Sequence, residues 1–418
     1  MVPSGWERKT LNKVAEIRTG VAKGKKGLKD PIEVSYLRVA NVQDGKIDLS
    51  EVKSIQIERH QLDRYSLKKG DVLMTEGGDF DKLGRGDVWQ GQIEPCLNQN
   101  HVFAVRVDPN KLLPYFLTTL SSSYYGKTYF LSCAKRTTNL ASINSSQLKD
   151  FPVLLPPLPE QRQIAQILST WDKAIVTTEK LIAASQQQKK ALMQQLLTGK
   201  KRFAGFSEAW EEVKLGDIAT YSKGYTYKSD EYSESQTEYG FLTLKSILRG
   251  GGYSERGIKY LRSPVENKFS VEQGDIVFAV TDLTRNAEVV GAPILIPDLP
   301  YGKSFISMDL VKLKVAQSVN KEFFFYLMQS SDNRNFMRAR ASGSTVLHLD
   351  IKGSKQLKLK IPKNLTEQQK IAAVLTSSDQ EINALQSKLA HLKQEKKALM
   401  QQLLTGKRRV VLEAETSL

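Results

Sequence analysis

A run of fourteen residues occurs twice in this chain with a single change, Lys201 to Arg408. Lys189-Lys190-Ala191-Leu192-Met193-Gln194-Gln195-Leu196-Leu197-Thr198-Gly199-Lys200-Lys201-Arg202 returns 207 positions later as Lys396-Lys397-Ala398-Leu399-Met400-Gln401-Gln402-Leu403-Leu404-Thr405-Gly406-Lys407-Arg408-Arg409. The same step relates Glu160 to Glu367, Ile164 to Ile371, Leu168 to Leu375, Asp172 to Asp379 and Ile175 to Ile382. A gap-free match of this extent marks a duplicated module, so the chain has to fold as two copies of one plan.

The repeated stretch is helical. Ile164, Leu168, Trp171, Ile175, Thr178, Ile182, Ser185, Lys189, Leu192 and Leu196 fall at alternating steps of four and three. Ile371, Leu375, Ser378, Ile382, Leu385, Leu389, Leu392, Lys396, Leu399 and Leu403 do the same. This period over several heptads predicts a coiled-coil seam. Pro159 suits a first turn, Thr366 with Gln369 reads as a capping box, and Gly199 and Gly406 read as C-terminal stops. The basic triplets that follow the two glycines suit the negative end of a helix dipole.

Ahead of each helix lies a mixed segment with fainter echoes of its counterpart. Trp6 and Trp210 precede Leu11, Val14, Ile17, Gly20 and Leu215, Ile218, Tyr221, Gly224. Lys69-Gly70-Asp71 and Gln273-Gly274-Asp275 each read as a turn before a buried strand. Phe103–Val107 and Leu310–Lys314 alternate as strands, and Tyr115–Leu120 and Phe323–Met328 read as short helices. The expected fold class is α+β, with two similar globular domains, 1–157 and 206–363, and helical regions over 158–205 and 364–410, ahead of a short tail, 411–418. A helix of about 38 residues spans about 57 Å. A domain joining the end of one helix to the start of the next is too compact to bridge that distance, so the helices are expected to run antiparallel. The expectation is a dumbbell with a pseudo-two-fold internal repeat.

Charge narrows the function. The formal net charge is +16, from 61 basic and 45 acidic residues, which favours a polyanionic partner by long-range attraction and counterion release. The N-terminal residues carry no apolar signal core, and no apolar run reaches membrane-spanning length. Two cysteines, Cys96 and Cys133, without a CxxC or Cys/His cluster, suit a reducing cytoplasm with both thiols buried. The sequence has no dinucleotide or phosphate-loop fingerprint, no GxSxG, no HExxH and no Asn/Asp-Pro-Pro-Tyr tetrapeptide. No catalytic or metal-binding residue is nominated. Glu395-Lys396-Lys397 superficially resembles the end of a nuclease signature but reads as helix-surface charge.

The richest polar stretch is Thr75–Asp87, where Asp79, Asp81, Lys82 and Arg85 stand among four glycines. Gln99, Asn100 and His101 follow before a strand. Asn and Gln pair with adenine, Arg and Lys with guanine, and carboxylates accept from cytosine, so these residues are candidates for reading bases. An ordinary glycine-bearing hairpin loop is the alternative. In the second domain the corresponding candidates are Thr281, Asp282, Thr284, Arg285 and Asn286, with a capped turn as the alternative. Lys23, Lys25, Lys26, Arg136 and Thr137, and Lys223, Lys228, Ser344 and Thr345, are candidates for positioning contacts with the DNA backbone, or else solvated loop residues.

Two diverged domains, each followed by a helix ending Leu-Leu-Thr-Gly-Lys, resemble the specificity subunit of type I restriction–modification systems. Leu158-Pro159-Glu160-Gln161-Arg162-Gln163-Ile164-Ala165 looks like that family's helix start, and Leu365-Thr366-Glu367-Gln368-Gln369-Lys370-Ile371-Ala372 is its second copy, with Thr in place of Pro. The Gly77–Gly86 loop with Gln99-Asn100-His101 resembles one type of recognition domain in the family, and Thr281-Asp282-Leu283-Thr284 resembles another. The resemblance implies two target-recognition domains that each read half of an asymmetric, interrupted DNA site. It implies helices that measure the gap and dock two modification subunits, which use S-adenosylmethionine to methylate adenine. Restriction subunits using ATP and Mg are implied as further partners, and no cofactor is expected in this chain. The outward helix residues Gln187, Gln188, Lys190, Gln194, Lys393, Gln394, Lys397 and Gln401 are the expected docking face. Two other readings are an enzyme fused to recognition domains and a stand-alone coiled-coil DNA-binding or structural scaffold.

Overall fold

In the computed structural model, which describes residues 2–23, 27–138 and 140–411, the chain forms two compact units. One comprises Met1–Glu179 with Ser387–Leu418, the other Lys180–Gln386. The two long helices, Leu158–Leu196 and Leu365–Leu403, each contribute one half to each unit.

In the first unit a turn at Gly70 (φ +94°) leads into Val72–Thr75, four residues buried on both faces. This strand lies inside an antiparallel sheet of Ala15–Thr19, Val102–Val107, Val72–Thr75 and Gly86–Val88. Asp71 fixes the turn. It is buried, takes the backbone N–H of Lys68 at 2.8 Å, and holds the Arg106 guanidinium through two contacts of 2.8 Å. A second sheet joins Cys96–Asn98 in parallel to Pro31–Leu37, with Lys53–Glu58 on its far edge. Glu7–Thr10 pairs with Pro152–Leu155 and brings the chain to the start of the first long helix. Helices Pro114–Ser122 and Tyr124–Cys133 cover the core.

The second unit repeats this order. Its sheet is Ala219–Lys223, Leu310–Val315, Ile276–Ala279 and Pro293–Leu295. Gly274 (φ +79°) turns the chain, and Asp275 takes the Glu272 N–H and the Lys312 ammonium. Glu211–Lys214 pairs with Lys358–Ile361, and helices Lys321–Gln329 and Ser331–Arg338 follow the strand at Leu310–Val315. The second sheet here has grown to five strands, with Tyr239–Leu242 parallel to Lys303–Ile306.

Within each unit the helix halves run antiparallel. In the first, Glu160 meets Arg409, Asp172 meets Lys396 and Glu179 meets Lys393, the numbers falling on one helix as they rise on the other. In the second, Ser185 meets Glu381, Lys189 meets Asp379 and Arg202 meets Glu367. Trp171, Ile175, Ile182, Leu192, Leu385, Leu389, Leu392 and Leu399 are half-buried, and Ile382 is buried. The seam's ends do more than meet another helix. Ile164, Leu168 and Leu403, with the off-period Leu404, enter the core of the first domain beside Trp6, Phe116 and Phe151. Ile371, Leu375, Leu196 and Leu197 enter the second beside Leu215 and Phe323. Each such side chain contributes about 1.5–3 kcal/mol, and several meet at each junction.

Three local expectations are revised. Asn364, not Thr366, caps the second helix; its Oδ1 accepts from the Thr366 N–H at 2.8 Å. The last members of the basic triplets, Arg202 and Arg409, are ion-pair partners rather than charges left to the helix dipole. Cys133 is only half-buried, whereas Cys96 is fully buried and its thiol is pushed up to about 12 by that burial. No helix among the described residues is long and apolar enough to cross a membrane.

Candidate nucleic-acid interface

The polar loops rise from a framework built twice. In the first domain the Glu76 backbone ties two distant segments together: its N–H donates to His101 O at 3.0 Å and its O accepts from Ile143 N at 2.8 Å. In the second, Val280 makes the same two bonds, to Asp309 O and from Leu349 N, both at 2.8 Å. Each hub is flanked by a small antiparallel sheet. Gly77–Gly78 pairs with Ala141–Ser142 and that with Lys135–Arg136; Thr281–Asp282 pairs with Leu347–Leu349 and that with Ala341–Ser342.

Gly20 and Gly224 bring a further strip to each hub. A Cβ at Gly20 would lie 2.0 Å from Asn98 O, and one at Gly224 would lie 2.1 Å from Ser307 O, so only glycine admits this approach. Beyond Gly20, Val21 donates to Asn98 O and accepts from Asn100 N, and Lys23 follows two residues on, its ammonium 5.8 Å from the centre of the Tyr36 ring. Lys223 and Lys228 flank the matching strip and are exposed.

The structure thus gathers Asp79, Lys82, His101 and Arg136 about one hub. Asp79 and Lys82 form an exposed ion pair, and hydrogen bonding to Lys82 holds the Asp79 carboxyl below its ordinary range. The Arg136 guanidinium lies 6.0 Å from the centre of the exposed Phe80 ring and donates to Leu131 O. His101 is 57% exposed, and its Nδ1 lies 2.6 Å from Glu76 Oε2. Gln99 and Asn100 are half-buried next to it. Arg85 is partly withdrawn, its Nε buried without a partner among the described residues. Thr137 is exposed but closes its own turn with Leu140. Lys25 and Lys26 lie outside the described residues, as does the side chain of Asp81. The loop glycines chiefly serve the domain itself. A Cβ at Gly84 would strike the Phe130 ring, and one at Gly86 would strike Leu73 O.

In the second domain two expectations are overturned. Asp282 is fully buried; it accepts from Thr284 N at 2.6 Å, Val289 N at 2.6 Å and Val290 N at 2.7 Å, so its oxygens are spent on the loop rather than turned to a base. Burial pushes its carboxyl up, but the hydrogen bonds from Thr284, Val290 and Val289 outweigh that and hold it below the ordinary range. Thr281 is buried too, its hydroxyl donating to Asp309 Oδ1 at 2.9 Å. Thr284 is half-buried and its hydroxyl accepts from Glu288 N. Arg285 and Asn286 are exposed, as are Ser344 and Thr345 at the neighbouring turn. Sequence reasoning missed Glu76 and Asp309. The signal was present in the strand register, where Leu310 follows Asp309 as Val102 follows His101, one residue off the 207 step.

At the helix starts the duplication is kept almost intact. Gln161, fully buried, accepts from Leu113 N and donates to Lys111 O and Pro156 O; Gln368 accepts from Asn320 N and donates to Ser318 O and Pro362 O. Tyr115 donates to Asp172, which Lys396 also holds, and Tyr326 donates to Asp379, which Lys189 also holds. Lys396 of the Glu395-Lys396-Lys397 triplet therefore has a structural role. Among the described residues no group of His, Cys, Asp and Glu is placed to hold a metal ion.

The chain thus carries two similar α+β domains with unlike loops, each docked on antiparallel helix halves. A family model described as the type I restriction modification DNA specificity domain matches residues 3–185 and 207–394, and the chain belongs to that family, as a specificity subunit of a type I system. The chain is 28% identical, over 98% of its length and 95% of the relative's, to a Methanocaldococcus jannaschii protein assigned as the MjaX type I restriction enzyme specificity subunit. It is 27% identical to the MjaVIII specificity subunit of the same organism over 68% of each chain. Among solved structures it shares its fold with the type I S subunit from M. genitalium, at a TM-score of 0.60, 16% identity and 96% coverage of both chains. It shares it also with a chain of a type I restriction–modification system at a TM-score of 0.58 and 18% identity, covering 98% of this chain and all of the other.

Proposed function

We propose that each domain reads one half of an asymmetric, interrupted DNA site, the first through Asp79, Lys82, Arg85, Gln99, Asn100 and His101, the second through Arg285, Asn286 and the residues around them. The lysines at 23, 223 and 228, with Arg136 and the turn at Ser344-Thr345, would hold the DNA backbone. The observation that carries this reading is the hub built twice and furnished differently: Glu76, His101 and Ile143 in one copy, Val280, Asp309 and Leu349 in the other. One framework with two sets of side chains is what reading two unlike half-sites requires.

On this reading the chain itself is not catalytic. The length of the helices sets the gap between half-sites. Their outward residues, Gln187, Gln188, Lys190 and Gln194 and then Lys393, Gln394, Lys397 and Gln401, are exposed in both copies, and they give two modification subunits a nearly identical grip. S-adenosylmethionine, adenine methylation, ATP and Mg belong to the modification and restriction subunits. The test is to replace Thr75–Asp87 by the corresponding segment of another specificity subunit, assemble the complex, and sequence the methylated adenines. One half of the methylated motif should change and the other stay; a wholly unchanged motif would overturn the reading.

A further inference from the structure

The duplicated hub makes His101 and Asp309 structural equivalents, although no fixed step in the sequence pairs them. Each is the residue whose backbone carbonyl receives the hub N–H, from Glu76 in one domain and from Val280 in the other. Each also has one side-chain atom tied down from within. Glu76 Oε2 lies 2.6 Å from His101 Nδ1, and the Thr281 hydroxyl donates to Asp309 Oδ1 at 2.9 Å. With a carboxylate as its partner Nδ1 is the donor, and in the neutral imidazole Nε2 is then the acceptor. The Asn100 amide nitrogen lies 3.4 Å from Nε2, a long contact that a base amine reaching Nε2 would replace. Asp309 is half-buried and its Oδ2 has no hydrogen-bond partner among the described residues, which leaves that oxygen free to accept.

We propose that His101 and Asp309 are the corresponding specificity-determining residues of the two domains, each accepting a hydrogen bond from the exocyclic amine of an adenine or cytosine, with Glu76 and Thr281 as their positioning residues. In the major groove those amines are the only donors, so an outward acceptor selects for them. The two supports differ in kind. A carboxylate beneath an imidazole fixes its tautomer, whereas a hydroxyl beneath a carboxylate fixes its rotamer and leaves its charge. This inference rests on the reading of the chain as a two-part DNA reader, and the experiment separates the two.

The complex with its modification subunits is assembled from wild-type chain, Asp309→Asn, Thr281→Val and His101→Gln, and the methylated motif is sequenced for each. Asp309→Asn should relax one base position of the second half-site by about tenfold or more, with the first half-site unchanged. Thr281→Val should relax the same position less, at an unaltered melting temperature, and His101→Gln should relax one position of the first half-site only. Unchanged motifs for Asp309→Asn and His101→Gln overturn the inference and leave the two-part reading standing. Should Asp309→Asn fail to assemble, His101→Gln decides. A wild-type complex that methylates no two-part motif sinks the underlying reading instead.

Discussion

Arg409 grips Glu160 through two hydrogen bonds, Nε to Oε1 at 2.6 Å and Nη2 to Oε2 at 2.7 Å, across 249 residues of sequence. Arg202 and Glu367 repeat the grip at 2.8 and 2.7 Å. Both glutamates are buried, and a buried carboxylate is tolerable only when paired, so the arginine closing each helix and the glutamate opening the other must persist together. The copies differ in one respect. Trp6 donates to Glu160 at 3.0 Å, while the Trp210 ring nitrogen is buried without a partner among the described residues.

Beside each of these glutamates sits the glutamine that fastens helix to domain. Gln161→Ala strands Leu113 N, Lys111 O and Pro156 O, and a stranded buried group costs about 1–3 kcal/mol, so about 3 kcal/mol should be lost. Gln368→Ala should cost a similar amount. Thermal melting of each variant beside wild type measures both, and a change below about 1 kcal/mol for either contradicts the lock.

Asp282 gives the second domain an acid sensitivity of known sign. Its carboxyl is held below the ordinary range in the folded state, so its contribution is complete above the unfolded value near pH 4 and is lost as pH falls through the folded value. Asp282→Asn places an NH2 among backbone donors and should cost about 2–4 kcal/mol at neutral pH. The difference from wild type should narrow below about pH 4. Melting curves across pH 3–7 check the direction.

Lysines that touch phosphate position the protein without specifying sequence. Lys23→Ala and Lys223→Ala should each lower the slope of log affinity against log salt by about one unit and leave the methylated motif as it was. Binding titrations of the assembled complex at several salt concentrations give the slope. An unchanged slope assigns these lysines to solvent.

Lengthening both long helices by one turn, four residues in each, adds about 6 Å and should widen the gap between half-sites by about one or two base pairs. Neither half-site should change. Sequencing methylated adenines distinguishes this from a helix that serves only as a dock, for which the gap stays constant.

Much of the fold was legible before any coordinates, because helix and strand periods are local. The helices, the turn at Gly70-Asp71 and its copy at Gly274-Asp275, and the strands and short helices after them fall where the residue pattern puts them. The loops were read less well. Thr281 and Asp282 are polar and stand where a DNA-facing residue is expected, yet both turn inward to hold the loop and its neighbour Asp309. Polarity marks a residue that needs hydrogen bonds and leaves open whether backbone, side chain or ligand supplies them.

The sequence by itself determined that the chain is two copies of one plan and that each copy ends in a long amphipathic helix, since a repeat and a period need only the order of residues. The tertiary structure alone decided that Arg409 belongs to Glu160, that Gln161 fastens three separate carbonyl and amide groups, and that His101 and Asp309 correspond. Those relations join residues far apart along the chain, and the copies have drifted out of step by up to three residues. Only the hydrogen bonds closed by folding bring the equivalent positions back into register.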